Sequence, residues 1–240
     1  CRLNSRKQRQ KLGLFIAEGD KCVADTIRFF TPEAIIVKEG DTKAYEEYSA
    51  YPLFTAAEAD IKTLSQFQSL PSVIAVYKLP KPQDLSREDF KSGLTLMLDG
   101  VQDPGNLGTI LRIASWFGVA QVVIGTGCAD PFNPKAVQAS MGAVGMVRFS
   151  QEDLLPIIEK NADIPVCGTL LDGTDIYTTP LSLPAFVVMG SEGQGLSEGI
   201  RAKVNKPLLI PSFAAGPHAE SLNVAAATAI TVSEFMRRRH

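Results

Sequence analysis

The chain has 240 residues, of which 45% are hydrophobic and 21% charged, a composition typical of a globular protein with one large domain or two small ones. Its net charge of −2 is unlike that of a non-specific nucleic-acid binder, which is usually much more basic. Its apolar stretches are too short to span a bilayer, so we expect no contact with a membrane.

The charge is unevenly distributed, with a basic cluster at each end of the sequence. Two interpretations stay open. The clusters contact phosphates, or they are solvated tails. In the second case the positive charge of the C-terminal cluster would also be favourable at the C-terminus of a helix. Composition alone favours the tails. The basic head consists of Arg2, Arg6, Lys7, Arg9 and Lys11, and the basic end of Arg237, Arg238 and Arg239.

Residues 1–79 contain the pattern of a small α/β unit. Apolar runs at 14–17, 34–37 and 73–77 predict strands. Asp20 is a candidate helix cap, and the helix after it would bury a face holding Val23, Ile27 and Phe30. The polar, proline-bearing segment at 80–92 predicts an interdomain linker, and residues 93–240 then form a second domain.

In the second domain, short apolar runs alternate with helical patterns. We predict helices at 107–117 and 221–237, and one that begins at Asn133 with Pro134 in its first position. Apolar strands separated by helices indicate a parallel sheet covered on both faces. The predicted strands are 94–98, 121–124, 147–149, 166–170, 186–189 and 208–210.

The last predicted helix is apolar on most sides, so it must be buried all round. A second copy of the chain or the rest of the same subunit could provide that burial, and the sequence leaves both open.

Cysteine and histidine are scarce. The cysteines Cys1, Cys22, Cys128 and Cys167 lack the spacing of metal ligands, and the histidines are His218 and His240. We therefore predict no metal site and a reduced, cytoplasmic protein. The basic start is not followed by an apolar core, so we expect no signal peptide. Since residue 1 is not Met, we also expect that some leading residues are missing.

Ligands of parallel sheets bind at the loops that follow the strands, and three such loops have unusual residues. The first contains Asn106, Gly108 and Arg112. Arg112 has the planar, always charged group that suits phosphate, and Gly108 would let a bulky substrate approach it. The alternative is a surface arginine on an amphipathic helix.

The second loop contains Gly190, Glu192 and Gly195. Its glycines allow close approach of a ligand or another loop, and Glu192 would need backbone donors or an arginine. The loop lacks the signatures of a P-loop and of a dinucleotide site, and it could also be a plain strand–helix turn with Ser197 as the cap.

The third loop leads from residue 211 into the last helix. Ser221 and Asn223 can donate and accept hydrogen bonds there, although capping of the helix is the alternative for both.

Together, in order and spacing, these loops resemble the three signature motifs of the SpoU (TrmH) family of RNA 2′-O-methyltransferases. The matching elements are Asn106-x-Gly108-x-x-x-Arg112, then Gly190-x-Glu192-x-x-Gly195-Leu196, then Ile210-Pro211 and Ser221-Leu222-Asn223-Val224. More loosely, residues 9–19 resemble the opening of the family's RNA-binding domain, which is similar to ribosomal protein L30e. Residues 69–76 depart from that domain, because a glycine usual before its last strand is missing.

The resemblance implies a SPOUT-type domain with a deep trefoil knot, which the residues themselves do not predict. It implies S-adenosyl-L-methionine as cofactor, RNA as partner and a homodimer whose subunits build the active site together. The implied cofactor-binding residues are Thr169, Leu170, Gly190, Glu192, Gly195, Ile210 and Leu222, and the implied catalytic residues are Arg112, Asn106, Ser221 and Asn223.

The third motif departs from the family pattern. Ser212 stands where Met is usual, and residues 213–220 lengthen the gap and bring in His218. His218 could help to accept the proton from the ribose, or the loop could simply have lengthened. The function indicated is 2′-O-methylation of structured RNA, with ribosomal RNA favoured over transfer RNA. The alternatives are a catalytically silent RNA-binding protein of the same fold and an unrelated nucleotide-binding α/β enzyme.

Overall fold

The computed structural model describes residues 2–65 and 67–238 and contains two sheets. Cys1, Arg239 and His240, which the sequence analysis names, lie outside the described residues. No described helix is long and apolar enough to cross a membrane.

The first sheet has four strands in the order β1-β4-β2-β3. Its strands are β1 (Leu14–Glu18), β2 (Pro32–Lys38), β3 (Leu53–Ala56) and β4 (Val73–Lys78), and its helices are α1 (Arg6–Leu12), α2 (Asp20–Thr26) and α3 (Glu58–Leu64). Strand β4 is antiparallel to β1 and β2, whereas β2 and β3 are parallel. The three predicted strands are confirmed, and α1, β3 and α3 are additional.

The predicted role of Asp20 is wrong. Gly19 occupies the N-cap position of α2, and Asp20 is the first helical residue. The Asp20 carboxylate instead accepts a hydrogen bond from the hydroxyl of Tyr45. Its oxygen is therefore used in a tertiary contact rather than at the helix start.

Part of the predicted linker is ordered secondary structure. Helix α4 (Arg87–Phe90) begins after Ser86, whose hydroxyl and backbone form a capping box with Asp89. Phe90 at its end is buried against the second sheet. The exact domain boundaries stay a prediction, but the stretch without secondary structure before α4, residues 79–86, is shorter than the predicted linker.

The second sheet is six-stranded and parallel throughout its described pairs, in the order β10-β8-β9-β5-β6-β7. Its strands are β5 (Leu94–Asp99), β6 (Gln121–Ile124), β7 (Phe149–Gln151), β8 (Val166–Asp175), β9 (Ala185–Gly190) and β10 (Lys206–Leu209). Its helices are α5 (Pro104–Trp116), α6 (Pro134–Ser140), α7 (Leu154–Lys160), α8 (Glu198–Arg201) and α9 (Val224–Arg237).

Both faces of this sheet are covered, as the apolar strands predict. Leu96 and Leu98 of β5 belong to one hydrophobic cluster, whereas the intervening Met97 belongs to another on the opposite face. Strand β7 begins two residues later than predicted. The trefoil knot stays a prediction.

The two sheets share one hydrophobic cluster, so the first unit is docked on the second. The rings of Phe15 and Phe132 lie 4.8 Å apart across this contact. Beside them, Arg9 is buried and forms an ion pair with Asp130, with Nη2 and Oδ2 2.5 Å apart. Both interpretations of the basic head are therefore wrong for Arg9, because its charge is paired inside the protein.

Helix α9 is not buried all round within one chain. Val232 and Phe235 are buried, but Ala226 is exposed and Ile230 is half-buried. The chain covers one side of the helix and leaves the other accessible, which keeps burial by a second copy open.

Candidate active site

Three side chains from the three predicted loops meet at one edge of the second sheet. The Asn106 amide donates to Glu192 Oε1 at 2.9 Å. The Asn223 amide donates to the same oxygen at 2.5 Å and to Asn106 Oδ1 at 3.0 Å. Because the carboxylate receives these donors together with the backbone N–H of Val224 at 3.3 Å, it needs no arginine. We call Asn106, Glu192 and Asn223 the amide–carboxylate cluster.

The helix starts hold two members of the cluster in place. Asp103 caps α5 by accepting from the backbone N–H of Asn106 at 2.8 Å. A hydrogen bond from Lys135 lowers the pKa of Asp103 below its ordinary value, so the cap stays charged. Asn223 caps α9, and its Oδ1 accepts from the backbone N–H groups of Ala225 and Ala226. The amide oxygen of Asn223 therefore caps α9, while its amide nitrogen donates to the cluster.

The glycine loop folds back on itself directly after β9. Ser191 and Gly195 exchange two backbone hydrogen bonds of 3.0 and 2.9 Å. A Cβ at Gly190 would overlap Gly195 and lie 2.6 Å from the backbone nitrogen of Leu196, so no larger residue fits. Gly195 has a φ of 68°, which side-chain-bearing residues rarely adopt. The backbone after Gly190 is thus held in a tight, predefined shape.

Two aspartates that the sequence analysis missed brace these loops. Asp103 caps α5, and Asp99 at the end of β5 accepts from the backbone N–H of Ser197 at 2.6 Å. Asp103 stands directly before Pro104, a pattern typical of a helix start, so that signal was present in the sequence. The bond from Ser197 to Asp99 joins positions 98 residues apart and has no local signal.

A cleft of about 380 Å³ opens between the first and second loops. Its volume lies in the range of small-molecule sites. Of the predicted site residues, Asn106 and Glu192 line it. The lining consists of Gly100, Val101, Gln102, Asp103, Asn106, Ser191, Glu192, Gly193, Gln194 and Val224.

Arg112 lies apart from the cluster in its own chain. It follows Asn106 by six positions, which is about 9 Å along a helix. Its side chain is exposed and forms no hydrogen bond or ion pair with other described residues. The guanidinium is therefore free to bind an anion.

The predicted role of Gly108 is wrong. Gly108 is buried, and a Cβ there would overlap the carbonyl oxygen of Ala136 and lie 2.8 Å from the Cβ of Ala139. The glycine lets α5 and α6 cross closely, and it does not open space above Arg112 for a substrate.

The remaining predicted cofactor residues lie around the same end of the sheet without joining the cluster. Thr169 is near Met189, with Oγ1 and Sδ 3.9 Å apart, and Leu170 packs on the second hydrophobic cluster. Ile210 follows β10 and packs on the first. Leu222 is 48% exposed directly before the capping Asn223.

Residues 212–223 are all exposed, including Ser221. Ser221 does not cap α9. His218 has its Nδ1 2.7 Å from the carbonyl oxygen of Ala219, and the structure shows it in no hydrogen bond with the cluster or Arg112 among described residues. Its proposed role as proton acceptor stays a prediction.

The described part of the basic end is internally paired. Arg237 and Arg238 both form ion pairs with Glu234. Arg238 also donates to the carbonyl oxygens of Ile176 and Tyr177 at 3.0 and 2.7 Å. The pairing makes Arg238 a fixed structural contact rather than a solvated tail.

The described residues contain no cluster of side chains suited to a metal ion.

Comparison with known proteins identifies relatives over nearly the whole chain. A model of the SpoU rRNA Methylase family matches residues 93–233. The 23S rRNA (guanosine(2553)-2'-O)-methyltransferase RlmP of Bacillus subtilis is 28% identical, over 96% of this chain and 92% of its own. A solved structure from Porphyromonas gingivalis, assigned to the TrmH family of RNA methyltransferases, is 40% identical with a TM-score of 0.83, covering 98% of this chain and 94% of that one. An AdoMet-bound rRNA methyltransferase from Sinorhizobium meliloti is 26% identical with a TM-score of 0.80, covering 98% and 92%.

Proposed function

Because the chain belongs to the SpoU rRNA methylase family, we propose that it transfers a methyl group from S-adenosylmethionine to a ribose 2′-hydroxyl of RNA. The amide–carboxylate cluster carries the proposal, since it joins all three motif loops through hydrogen bonds of 2.5 to 3.0 Å. Ribosomal RNA is the favoured substrate, because the Bacillus subtilis relative bears the name of a 23S rRNA enzyme. We place the protein in the cytoplasm, where that RNA is found.

The residues present fit the cofactor. When bound, S-adenosylmethionine supplies a methyl group made electrophilic by its sulfonium. The tight turn at Gly190 and Gly195 fixes backbone donors and acceptors at a strand end, where ligands of parallel sheets bind. Gly190, Ile210 and Leu222 would hold the cofactor through their backbone groups. The pocket wall would come from Thr169 and Leu170.

Arg112 would position the substrate. As the ribose oxygen bonds to the methyl carbon, the bond from that carbon to sulfur would break, leaving S-adenosylhomocysteine, and the hydroxyl proton would pass to water. A guanidinium stays charged near neutral pH and is a poor base. Arg112 would therefore orient a phosphate of the RNA and stabilise the negative charge that develops on the oxygen. Its freedom from any described carboxylate partner supports that role.

The cluster would act as a brace rather than as an acid or base. Glu192 receives all its described donors on one oxygen, and each donor belongs to a motif loop. Exchange of Glu192 for Ala would leave the amides of Asn106 and Asn223 without their common acceptor and so remove the contact that joins the loops. Ser221 stays a catalytic candidate from the motif alone.

Two copies of the chain would complete the site. Arg112 lies away from the cluster of its own chain, and α9 leaves Ala226 and Ile230 accessible for a partner. Co-expressed Arg112→Ala and Glu192→Ala chains test this proposal. If Arg112 serves the partner's cluster, a mixed dimer keeps one intact site and recovers activity that neither variant has alone. A monomeric protein, or no recovery, would contradict it.

Methyl transfer to ribosomal RNA, followed by digestion to nucleosides and mass spectrometry, tests the function directly. We expect a 2′-O-methylnucleoside, nearly complete loss of it with Arg112→Ala, and a small residue with Arg112→Lys. Near-wild-type rates for both variants would reject a role of Arg112 in the reaction. Cofactor binding without transfer to any RNA would favour the catalytically silent alternative.

A further inference from the structure

A second group of exposed side chains lies beside Arg112 and is used by none of the contacts described so far. Trp116 is 84% exposed, although tryptophan is normally well buried. Met146 and Phe29 are 46% and 41% exposed. We call Arg28, Phe29, Arg112, Trp116 and Met146 the Trp116 patch.

These residues are neighbours although they come from three segments. Ser115, next to Trp116, has its hydroxyl 3.4 Å from the sulfur of Met146. Gly145, next to Met146, abuts Phe29, since a Cβ on it would lie 2.5 Å from the Phe29 Cβ. The patch therefore extends from α5 to the segment that follows α2 in the first unit.

Arg112 and Trp116 share one face of α5. Positions four apart on a helix have their Cβ atoms about 5–6 Å from each other. A single nucleotide can therefore place its phosphate on Arg112 and its base on the indole. At the other end of the patch, the Arg28 guanidinium lies 6.0 Å from the centre of the Phe29 ring, which adds a second cation to an aromatic face.

The charge of this patch favours RNA as occupant. Its members include two cations and no carboxylate, and neither Arg28 nor Arg112 forms an ion pair with another described residue, so both are available to phosphates. Cations alternating with exposed aromatic rings are what unpaired nucleotides bind, through backbone charge and base stacking.

We propose that Trp116 stacks on an unpaired base of the substrate RNA, next to the phosphate held by Arg112, and so positions the target ribose. This inference rests on the proposed function. It makes Trp116 a positioning residue and requires the RNA around the target to be single-stranded when bound. It also extends the RNA-binding surface from α5 to Arg28 and Phe29.

Trp116 is the only tryptophan of the chain, so its fluorescence reports on the patch alone. We expect a short oligoadenylate to quench that fluorescence saturably, and an abasic ribose-phosphate oligomer of equal length to leave it nearly unchanged. Anisotropy of a dye-labelled oligoadenylate measures binding without the tryptophan. In that assay Trp116→Ala should weaken binding about tenfold, and Trp116→Phe much less, because stacking needs an aromatic face. Phe54, which is 56% exposed on the first sheet, offers a matched control, and Phe54→Ala should bind normally.

Methyl-transfer kinetics separate this inference from the proposed function. Trp116→Ala should raise KM for RNA with little change in kcat. If the wild-type protein methylates RNA and Trp116→Ala has an unchanged KM, the stacking role is wrong and the function stands. If wild-type protein transfers no methyl group to RNA, the function is wrong, while the fluorescence titration still decides whether the patch binds bases. A smaller sedimenting species with Trp116→Ala, without loss of oligoadenylate binding, would make the patch an interface between copies and overturn the inference.

Discussion

Exchange of Asp130 for Asn should destabilise the protein strongly, because it leaves the charge of Arg9 buried without a partner. Arg9 is 1% exposed and donates to Asp130 Oδ2 through both Nε and Nη2. Asp130→Asn can keep the oxygen that accepts from the backbone N–H of Phe132, so the change is confined to the side facing Arg9, where an NH2 group replaces the charged acceptor. Breaking a buried ion pair costs about 3–5 kcal/mol. Since Arg9 retains the carbonyl oxygens of Leu3 and Asn4, we expect the lower end, about 3 kcal/mol.

Urea unfolding followed by circular dichroism measures this loss as a fall in the transition midpoint. The double variant Arg9→Met, Asp130→Asn should recover much of the stability, since it buries no unpaired charge. The exposed ion pair of Lys203 and Glu159 is a matched control, and Glu159→Gln should cost less than about 1 kcal/mol. A loss below 1 kcal/mol for Asp130→Asn, or a double variant less stable than the single one, would refute this reasoning.

Three further outcomes follow from contacts within the second domain. Gly108→Ala should destabilise the protein by about 1–3 kcal/mol in urea unfolding, because the added methyl group overlaps Ala136. This loss should exceed the gain from the better helix propensity of alanine. An unfolding midpoint equal to or above that of the wild type would contradict the close crossing of α5 and α6. Asn223→Asp should lower the affinity for S-adenosylhomocysteine in calorimetry, since it sets a second carboxylate against Glu192, and an unchanged affinity would separate the cluster from the cofactor site. Burial raises the pKa of the Cys167 thiol to about 11, so in the native protein at pH 8 this thiol should react with iodoacetamide only after urea unfolds the chain. Rapid labelling of Cys167 in the native protein, detected by mass spectrometry, would contradict that burial.

The sequence predicted the parallel sheet and its site loops because both have local signals. Apolar runs mark strands covered on both faces, and the motif spacing placed Asn106, Glu192 and Asn223 at one end of that sheet. Strand β3 escaped prediction because it is short and largely exposed, so no apolar run marks it.

Contacts between distant segments could not be predicted in this way. Arg9 looked like part of a solvated basic head, but its partner Asp130 is 121 residues away. Gly108 looked like an opening above Arg112, but it is filled by the crossing of α6, which periodicity within α5 does not reveal. In both cases the role of the residue depends on a neighbour from a distant part of the sequence, which no local pattern indicates.

The most direct test of the central claim is a map of 2′-O-methyl groups in cellular ribosomal and transfer RNA, with and without the gene for this chain. The account predicts that deletion removes a 2′-O-methyl group from ribosomal RNA, that the intact gene restores it, and that a gene carrying Arg112→Ala does not. An unchanged 2′-O-methyl map, or loss of a base methylation instead, would contradict it.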